Sequence, residues 1–310
     1  MKVFVAGASG AIGRPLVRQL VEAGHEVTGM TRREQRAEEI AAAGATAAVV
    51  DVFDKEELEA ALKAAEPEVV IHALTALPER INTRRNFLAP TNRVRSEGTD
   101  NLVAAARASG ARRVVAESVA FLYEPGGEDP NVESDPMAGS APGFFAEAVA
   151  ALSHLEAKVG GSEPIEGVVL RIGWLYGPGT HFASDGAQAE DVRKRRFPIV
   201  GDGDGVFSFT HTEDAAAAFA TAVAGGEPGT YNVVDDEPAA QREWLPVYAE
   251  ALGAGPPRRV PSWLAKLAVG KPAIENMEGM RGAVNAKAKR GLGWEPRYPS
   301  WREGFHQALG

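Results

Sequence analysis

Residues 2–13 read KVFVAGASGAIG, an apolar run that leads into glycines at every third position. The run Lys2–Ala6 predicts a buried strand, and the helical spacing of apolar side chains in residues 15–23 predicts a helix. Gly7, Gly10 and Gly13 therefore lie in the turn that joins a strand to a helix. This is the first unit of a fold in which strands and helices alternate.

The same alternation continues along the chain. Further strands are predicted at residues 26–30, 46–50, 69–73, 113–117 and 167–172. Helices are predicted between them at residues 33–43, 55–65, 92–109 and 144–159. We therefore expect an α/β fold, a doubly wound parallel sheet (Rossmann fold) with helices on both faces.

The glycine turn indicates a dinucleotide site. Glycine permits a tight turn at Gly7, close approach of a pyrophosphate at Gly10 and close helix packing at Gly13, while the helix N-terminus offers N–H donors. The alternative, a purely structural turn, is disfavoured by the strand-turn-helix context. The cofactor-binding residues expected in the turn are Gly7, Ser9, Gly10, Ala11, Ile12 and Gly13.

The residues after the second strand bear on which dinucleotide is bound. A protein that prefers NAD normally carries an acidic residue here for the ribose 2′-hydroxyl. This chain has Thr31, Arg32 and Arg33 instead, and a guanidinium suits the 2′-phosphate of NADP. We therefore predict NADP(H) in preference to NAD(H); the alternative is that these arginines only begin a solvated helix.

The regular alternation ends near residue 175, where short segments rich in glycine and proline begin. We expect residues 1–175, with residues 205–235 returning to them, to form the dinucleotide-binding domain. Residues 176–204 and 236–310 are expected to form a smaller C-terminal substrate domain. The segment 124–143, crowded with Pro, Gly, Asp and Ser, predicts a loop beside the active site.

Composition excludes several classes of function. The 310 residues include no cysteine, so thiolate nucleophiles and zinc-cysteine sites are excluded, and we expect no metal site. The net charge of −9 argues against a nucleic-acid surface. Neither a signal peptide nor a membrane span is recognisable. We expect a cytoplasmic protein whose partner is a small-molecule substrate, with neither nucleic acid nor membrane bound.

Further motifs resemble the extended short-chain dehydrogenase/reductase superfamily, of the NAD-dependent epimerase/dehydratase type. Beyond the glycine turn, they are Asp51-Val52, Val70-Ile71-His72-Ala73, Asn92 with Gly98-Thr99-Asn101-Leu102, Leu170-Arg171, Tyr176-Gly177-Pro178 and Phe209-Thr210-His211-Thr212-Glu213-Asp214. The resemblance implies further cofactor-binding residues: Asp51 and Val52 at the adenine, Ala73, Leu74 and Thr75 at the nicotinamide ribose, and Asn92 behind the active site. It also allows a homodimer in which the helices at residues 92–109 of the two copies pack against each other.

The chain departs from this family at the proton-transfer residues. The family uses a Tyr-x-x-x-Lys pair, in which lysine and cofactor lower the pKa of the tyrosine. No tyrosine lies between Tyr123 and Tyr176, and alignment on Glu156 places Ala148 and Leu152 at the two positions. The family serine falls on Val119 if Tyr123 is aligned with the family pattern, so Ser118 lies one position away.

Three other side chains are candidates for catalysis. Tyr123, predicted at the end of the fifth strand, could donate a proton, or its hydroxyl could be hydrogen-bonded under the loop. Ser118 is the candidate for the family serine. His181 could titrate near neutral pH in a loop that faces the substrate, or be an ordinary loop residue.

Several arginines and aromatic residues indicate which chemical groups the substrate contains. Arg80, Arg84, Arg85, Arg93 and Arg95 could hold a carboxylate or phosphate, or form a solvated helix face. Trp174 replaces an asparagine of the sugar-nucleotide enzymes in the family. With Phe144 and Phe145, it suggests an apolar substrate.

These observations leave open alternative functions. The first is an NADP(H)-dependent oxidoreductase that acts on a carbonyl or hydroxyl of an apolar small molecule, with a substitute proton donor. The second is a non-catalytic cofactor-binding sensor or scaffold. The third is a non-redox isomerase or lyase that uses the same pocket.

Overall fold

The computed structural model describes residues 1–78, 80, 86–139 and 144–309. Its strands are β1 (Lys2–Ala6), β2 (Glu26–Thr31), β3 (Thr46–Val49), β4 (Val69–His72), β5 (Arg113–Val119), β6 (Glu166–Ile172), β7 (Trp174–Tyr176), β8 (Ile199–Val200), β9 (Val206–Phe207), β10 (Phe209–His211), β11 (Gly229–Val233), β12 (Ala239–Ala240) and β13 (Arg259–Val260). Seven of them form a parallel sheet in the order β11-β6-β5-β4-β1-β2-β3. The predicted doubly wound parallel sheet is confirmed.

Helices cover both faces of this sheet. They are α1 (Gly13–Glu22), α2 (Glu34–Ala42), α3 (Lys55–Ala65), α4 (Ala89–Arg93), α5 (Thr99–Ala108), α6 (Phe144–Gly160), α7 (Ala187–Arg193), α8 (Thr212–Ala224), α9 (Gln241–Ala251), α10 (Ser262–Val269), α11 (Lys271–Glu278), α12 (Ala286–Leu292) and α13 (Trp301–Leu309). Apolar residues of α1, α2, α8 and α12 bury one face of the sheet. Those of α3, α5 and α6 bury the other. In the described part of the chain, no helix is long and apolar enough to cross a bilayer.

A second core, rich in aromatic side chains, lies in the C-terminal half. Trp244, Tyr248, Trp301 and Phe305 are fully buried there, packed with residues of β7, β9, β10 and α7. Ala288, Leu292 and Trp294, which belong to the predicted substrate domain, pack instead against the large sheet. The C-terminal segment therefore returns to the first core as well.

Two predicted elements differ from the structure. Strand β5 ends at Val119, so Tyr123 is not the end of that strand but pairs with Met137 in an isolated bridge. The helix predicted at residues 92–109 begins at Ala89 and contains a π-helical turn over Val94–Gly98 between α4 and α5. Such a turn is frequently found at functional sites.

Candidate active site

The glycine turn lies where β1 meets α1, at the carboxyl edge of the sheet. Gly7 has φ +101°, and a Cβ there would lie 2.3 Å from the carbonyl oxygen of Ala73. A Cβ on Gly13 would lie 2.0 Å from the carbonyl oxygen of Gly7. Gly10 is exposed, and its N–H donates to the Gly7 carbonyl at 3.0 Å. The turn therefore needs glycine at the two inner positions and leaves the third facing outward.

The N-terminus of α1 has no side-chain cap. Ile12 occupies the N-cap position and has helical backbone angles. The N–H of Arg14 donates to the Gly10 carbonyl at 3.1 Å and Pro15 has no N–H, so the amide groups left for an anionic ligand are those just before them, at Ala11, Ile12 and Gly13.

The end of β2 presents a free positive charge. Thr31 is buried, and its hydroxyl accepts from the backbone N–H of Arg33 at 3.2 Å. Arg32 is exposed and makes no ion pair with any described residue. No acidic residue follows Thr31 before Glu34, where α2 begins.

The segment after β3 forms another wall of the candidate dinucleotide site. The Asp51 carboxylate accepts from the N–H of Phe53 at 3.0 Å. Val52 is buried, and its carbonyl oxygen accepts from the amide of Asn101 at 3.0 Å. The guanidinium of Arg93 lies 3.8 Å from the centre of the Phe53 ring. These contacts fix the backbone of the two residues that the resemblance places at the adenine.

A buried histidine positions the segment after β4. The Nε2 of His72 lies 3.0 Å from the hydroxyl of Thr99, which donates to the carbonyl of Arg95. The hydroxyl therefore accepts from Nε2–H, and Nδ1 accepts from the N–H of Leu74 at 3.3 Å. Burial lowers the pKa of His72 to about 4, so the ring is neutral. Ala73 is buried and Thr75 is exposed, with Leu74 between them.

The loop after β7 lies over the glycine turn. A Cβ on Gly179 would be 3.7 Å from the Cβ of Ala11. His181 donates from Nε2 to the carbonyl of Pro78 at 2.9 Å, and Arg80 forms an ion pair with Glu190. His181 therefore joins two loops at the mouth of the site.

The structure brings the candidates Ser118 and Tyr123 into one buried network. Ser118 is fully buried and donates to Glu156 at 2.6 Å. Glu156 also accepts two hydrogen bonds from Arg171, at 2.9 and 2.6 Å. Arg171 donates to the Tyr123 hydroxyl at 2.8 Å, and this hydroxyl donates to Asn232 at 2.6 Å. Burial raises the pKa of Tyr123, so the phenol stays protonated.

The positions aligned with the family's serine, tyrosine and lysine form an apolar cluster. Val119, Ala148 and Leu152 are 5%, 1% and 0% exposed, respectively, and belong to one buried cluster. Phe145 packs against this cluster, whereas the side chain of Phe144 lies outside the described residues. None of the three aligned side chains can carry a proton.

The helix behind the site carries two buried polar residues. Asn92 is 9% exposed, and neither its amide nitrogen nor its amide oxygen has a hydrogen-bond partner among the described residues. Arg95, one turn further along, is 7% exposed, and its guanidinium has no ion pair with a described residue. Burial lowers the pKa of Arg95. Arg95 is thus not on a solvated face, whereas Arg84 and Arg85 lie outside the described residues.

Glu117 is a functional candidate that the sequence reasoning missed. Because Ala6 pairs with His72 and His72 with Ala116, the next row of the sheet brings Gly7, Ala73 and Glu117 side by side. Burial raises the pKa of Glu117 to about 7, opposed by the nearby charge of Arg95. The signal in the sequence is a carboxyl group directly after the apolar run Val114–Ala116 of a buried strand. Glu117 lies at the edge where open α/β sheets bind ligands.

An aromatic wall stands beyond the end of β5. The rings of Phe121 and Trp174 stack with centroids 4.3 Å apart and an interplanar angle of 24°. Phe207 and Phe182 contact the other sides of the indole, at 5.3 and 6.3 Å. Trp174 is therefore held within a cluster of packed aromatic rings.

The residues present fit a dinucleotide. The inner glycines admit no side chain, Gly10 faces outward, and no side chain caps the N-terminus of α1. Thr31, Asp51 and Ala73 lie along the same carboxyl edge of the sheet as the glycine turn. Among the described residues, no cluster of His, Asp and Glu could hold a metal ion.

Known proteins resemble most of this chain. A sequence model of the NAD dependent epimerase/dehydratase family matches residues 3–233. The chain is 44% identical to 3-diazoavenalumate denitrifying reductase of a Streptomyces species, over 98% of its length and 99% of the relative's. It is 26% identical to 2-alkyl-3-oxoalkanoate reductase of Stenotrophomonas maltophilia, over 82% of its length and 76% of the relative's.

The fold also matches solved structures. UDP-glucose 4-epimerase of Thermus thermophilus, in complex with NAD, superposes with a TM-score of 0.74 at 25% identity. The match covers 100% of this chain and 98% of the epimerase. Fold, sequence pattern and overall similarity agree: the chain belongs to the NAD-dependent epimerase/dehydratase family.

Proposed function

We propose that this protein is an NADP(H)-dependent reductase that replaces the diazo group of an aromatic acid with hydrogen. The apolar cluster of Val119, Ala148 and Leu152 carries this proposal, because the alignments on Glu156 and Tyr123 assign these side chains to the family's proton-transfer positions. The relative that is 44% identical is named as a denitrifying reductase of a diazo compound, which supports the same reaction class.

The chemistry explains why a proton donor is dispensable. Reduction of a ketone consumes a hydride and a proton, because the oxygen that accepts the electron pair must be neutralised. Replacement of an arenediazonium group consumes a hydride alone: ArN2⁺ + H⁻ gives ArH + N2. The new C–H bond takes the hydride, and the C–N bond breaks with its electron pair leaving on nitrogen. A reduced nicotinamide, when bound, supplies a hydride.

In this proposal, the residues of the chain bind the cofactor and orient its nicotinamide. Gly7, Gly10 and Gly13, with the α1 amides, would hold the pyrophosphate, and Arg32 would bind a 2′-phosphate. His72 fixes the backbone at Leu74, beside the nicotinamide ribose.

The substrate side of the site is apolar. Phe121 and Trp174 would hold an aromatic ring. Val119 and Leu152 are buried in the apolar cluster, so neither position brings a proton donor to the reacting carbon. Ser118, Tyr123 and His181 each have structural hydrogen bonds, and none is assigned to proton transfer.

One observation favours a second candidate, carbonyl reduction. Glu117 lies in the row of Ala73, and its pKa of about 7 suits a proton donor near neutral pH. The two functions separate with Glu117→Gln. If carbonyl reduction is the function, the variant loses ketone turnover. If diazo reduction is the function, the variant retains most of it.

The test is product analysis with freshly dissolved 4-carboxybenzenediazonium, an aromatic acid that carries a diazonium group. Purified protein with NADPH is expected to give benzoate, N2 and NADP⁺ in equal amounts, faster than a reaction without protein. Gly10→Ala, which impairs the cofactor turn, serves as the negative control. If consumption of the diazo acid is no faster than in this control, the proposed reaction is wrong.

A further inference from the structure

Glu117 lies near the carboxyl edge of the sheet, between two strands that face the candidate dinucleotide site. The register of β5 with β6 pairs it with Leu170, and the register of β4 with β5 brings it beside Ala73. Neighbouring strands are about 4.8 Å apart, so its backbone is that close to the segment assigned to the nicotinamide ribose. Leu170 and Ala73 both belong to the core on the α1 side of the sheet. Glu117, in the same row, therefore projects toward the face that carries the glycine turn.

The carboxyl group of Glu117 has no partner in the described part of the chain. It is partly buried, and burial raises its pKa to about 7 without an opposing hydrogen bond. Glutamates withdrawn from water are normally paired, because an unpaired buried charge is costly. An unpaired carboxyl group at the ligand-binding edge of a sheet therefore indicates a functional role.

Arg95 supplies the charge that acts on Glu117. Its buried side chain comes from the π-helical turn between α4 and α5 and has no ion pair with a described residue. Its positive charge lowers the pKa of both Glu117 and His72, so it acts near the ends of β5 and β4. His72 itself is neutral, with a pKa of about 4. Arg95 thus supports the ionised form of Glu117 from within the protein.

The other elements that pack against β5 bring charged groups that are already paired or neutral. On β6 and α6, Arg171 and Glu156 form a salt bridge of 2.6 Å. At the start of α8, burial lowers the pKa of His211 to about 4, so this ring is neutral. The carboxylate of Asp214 accepts two backbone N–H groups, at 2.7 and 2.9 Å. The charge that changes near neutral pH at this edge is therefore that of Glu117.

The two redox forms of a nicotinamide differ in charge. The reduced ring is neutral, whereas the oxidised ring carries one positive charge. A carboxylate a few ångströms away attracts the oxidised ring and has no net charge to attract in the reduced ring. A fixed charge near the ring is one of the means by which a protein tunes this cofactor.

We propose that the Glu117 carboxylate lies beside the nicotinamide end of the bound dinucleotide and favours its oxidised form over its reduced form. Glu117 thereby makes the bound reduced cofactor a stronger hydride donor, and more so when the side chain is ionised. The inference rests on dinucleotide binding at the glycine turn. It concerns the cofactor alone and holds for either substrate class, a diazo compound or a ketone.

The test compares the dissociation constants of NADP⁺ and freshly prepared NADPH, measured by calorimetry without substrate at two pH values. The quotient Kd(NADPH)/Kd(NADP⁺) cancels effects that are common to both forms, such as titration of the 2′-phosphate. Glu117→Gln keeps the size of the side chain and cannot ionise. Glu250→Gln, on an exposed part of α9, is the matched control. Thermal melting of each variant verifies folding.

In the wild type, the quotient is expected to rise about fivefold between about pH 6 and about pH 8, because ionised Glu117 favours NADP⁺. Glu250→Gln should show the same rise, and Glu117→Gln should show none. Adenosine 2′,5′-bisphosphate, which lacks the nicotinamide, should bind Glu117→Gln and the wild type equally.

A quotient that is equal at both pH values in the wild type, or that rises equally in Glu117→Gln, overturns the inference. A loss of adenosine 2′,5′-bisphosphate binding in Glu117→Gln also overturns it, because the effect would then not lie at the nicotinamide. If the quotient behaves as expected and the diazo acid is not reduced, the proposed function fails while this role of Glu117 stands.

Discussion

The hydroxyl of Ser118 donates a 2.6 Å hydrogen bond to the carboxylate of Glu156, beneath the carboxyl edge of the sheet. Through Glu156 and Arg171 this bond connects to the phenol of Tyr123. Two polar residues that could have replaced the missing proton donors are thus held in a buried hydrogen-bond network. Their positions indicate structural roles, and this leads to the first prediction.

Tyr123→Phe is expected to lower stability and to spare hydride transfer. The variant leaves Arg171 and Asn232 without the hydroxyl that joins them, at a cost of about 1–3 kcal/mol. Urea denaturation measures the stability, and the rate of NADPH oxidation with the diazo acid measures the function. Tyr248→Phe, which removes a buried hydroxyl far from this network, is the control. Loss of turnover with unchanged stability would show that Tyr123 is catalytic.

Gly10→Ala is expected to fold and to lose dinucleotide binding. A Cβ at Gly10 meets no protein atom other than the Gly7 carbonyl, at 3.2 Å, so the fold tolerates it. The methyl group occupies the face on which we place the pyrophosphate. In a thermal-shift titration, NADPH at a hundred times its dissociation constant adds about 2.7 kcal/mol to the wild type and little to the variant. Gly160→Ala, where a Cβ has open space, should respond like the wild type.

Arg32→Asp is expected to reverse the cofactor preference. The exposed guanidinium at the end of β2 has no ion pair with a described residue, so it is free to bind a 2′-phosphate. An aspartate would repel that phosphate and accept from the 2′-hydroxyl of NAD. The ratio of the dissociation constants for NADPH and NADH reports the change, with Arg258→Asp as an exposed control. An unchanged ratio would mean that Arg32 plays no part in the choice of cofactor.

The raised pKa of Glu117 predicts that the stability of the protein depends on pH. Its native pKa of about 7 lies above the ordinary value of 4.5, so the native state holds this proton more tightly than the unfolded state. The free energy of unfolding therefore falls as the pH rises from 4.5 through 7. Glu117→Gln removes this loss and should gain stability relative to the wild type over that range. His72, whose pKa is lowered, contributes the opposite slope to both proteins and cancels.

Urea denaturation at both ends of this range measures the difference between wild type and Glu117→Gln. Glu250→Gln, on an exposed part of α9, should leave the slope unchanged. Parallel curves for wild type and Glu117→Gln would show that the carboxyl group is not held protonated.

The large sheet could be predicted because its signals are local. Apolar runs and glycine spacing between Lys2 and Ile172 predict most strands and helices to within a few residues. The sequence does not predict α9 and α13, since Pro246 and Gly304 interrupt their patterns and tertiary packing of Trp244, Trp301 and Phe305 stabilises them.

The candidate site could be predicted only in part. The glycine turn is contiguous in sequence, so its location follows from spacing alone. Phe121 and Trp174 are far apart in the sequence and stack only in the folded chain. Burial of a polar side chain is a further property that the sequence does not show. For Arg95 the sequence allows a solvated helix face or a ligand contact, and in the structure the side chain is buried.

The central claim is that hydride reaches the substrate carbon without a proton from the protein. The most direct measurement follows deuterium into the product of 4-carboxybenzenediazonium in two experiments. The first uses NADPH deuterated at the transferable C4 position in ordinary water. The second uses unlabelled NADPH in heavy water. The account predicts benzoate deuterated at the former C–N carbon in the first experiment and unlabelled benzoate in the second. Deuterium that enters from heavy water, or fails to leave NADPH, would contradict it.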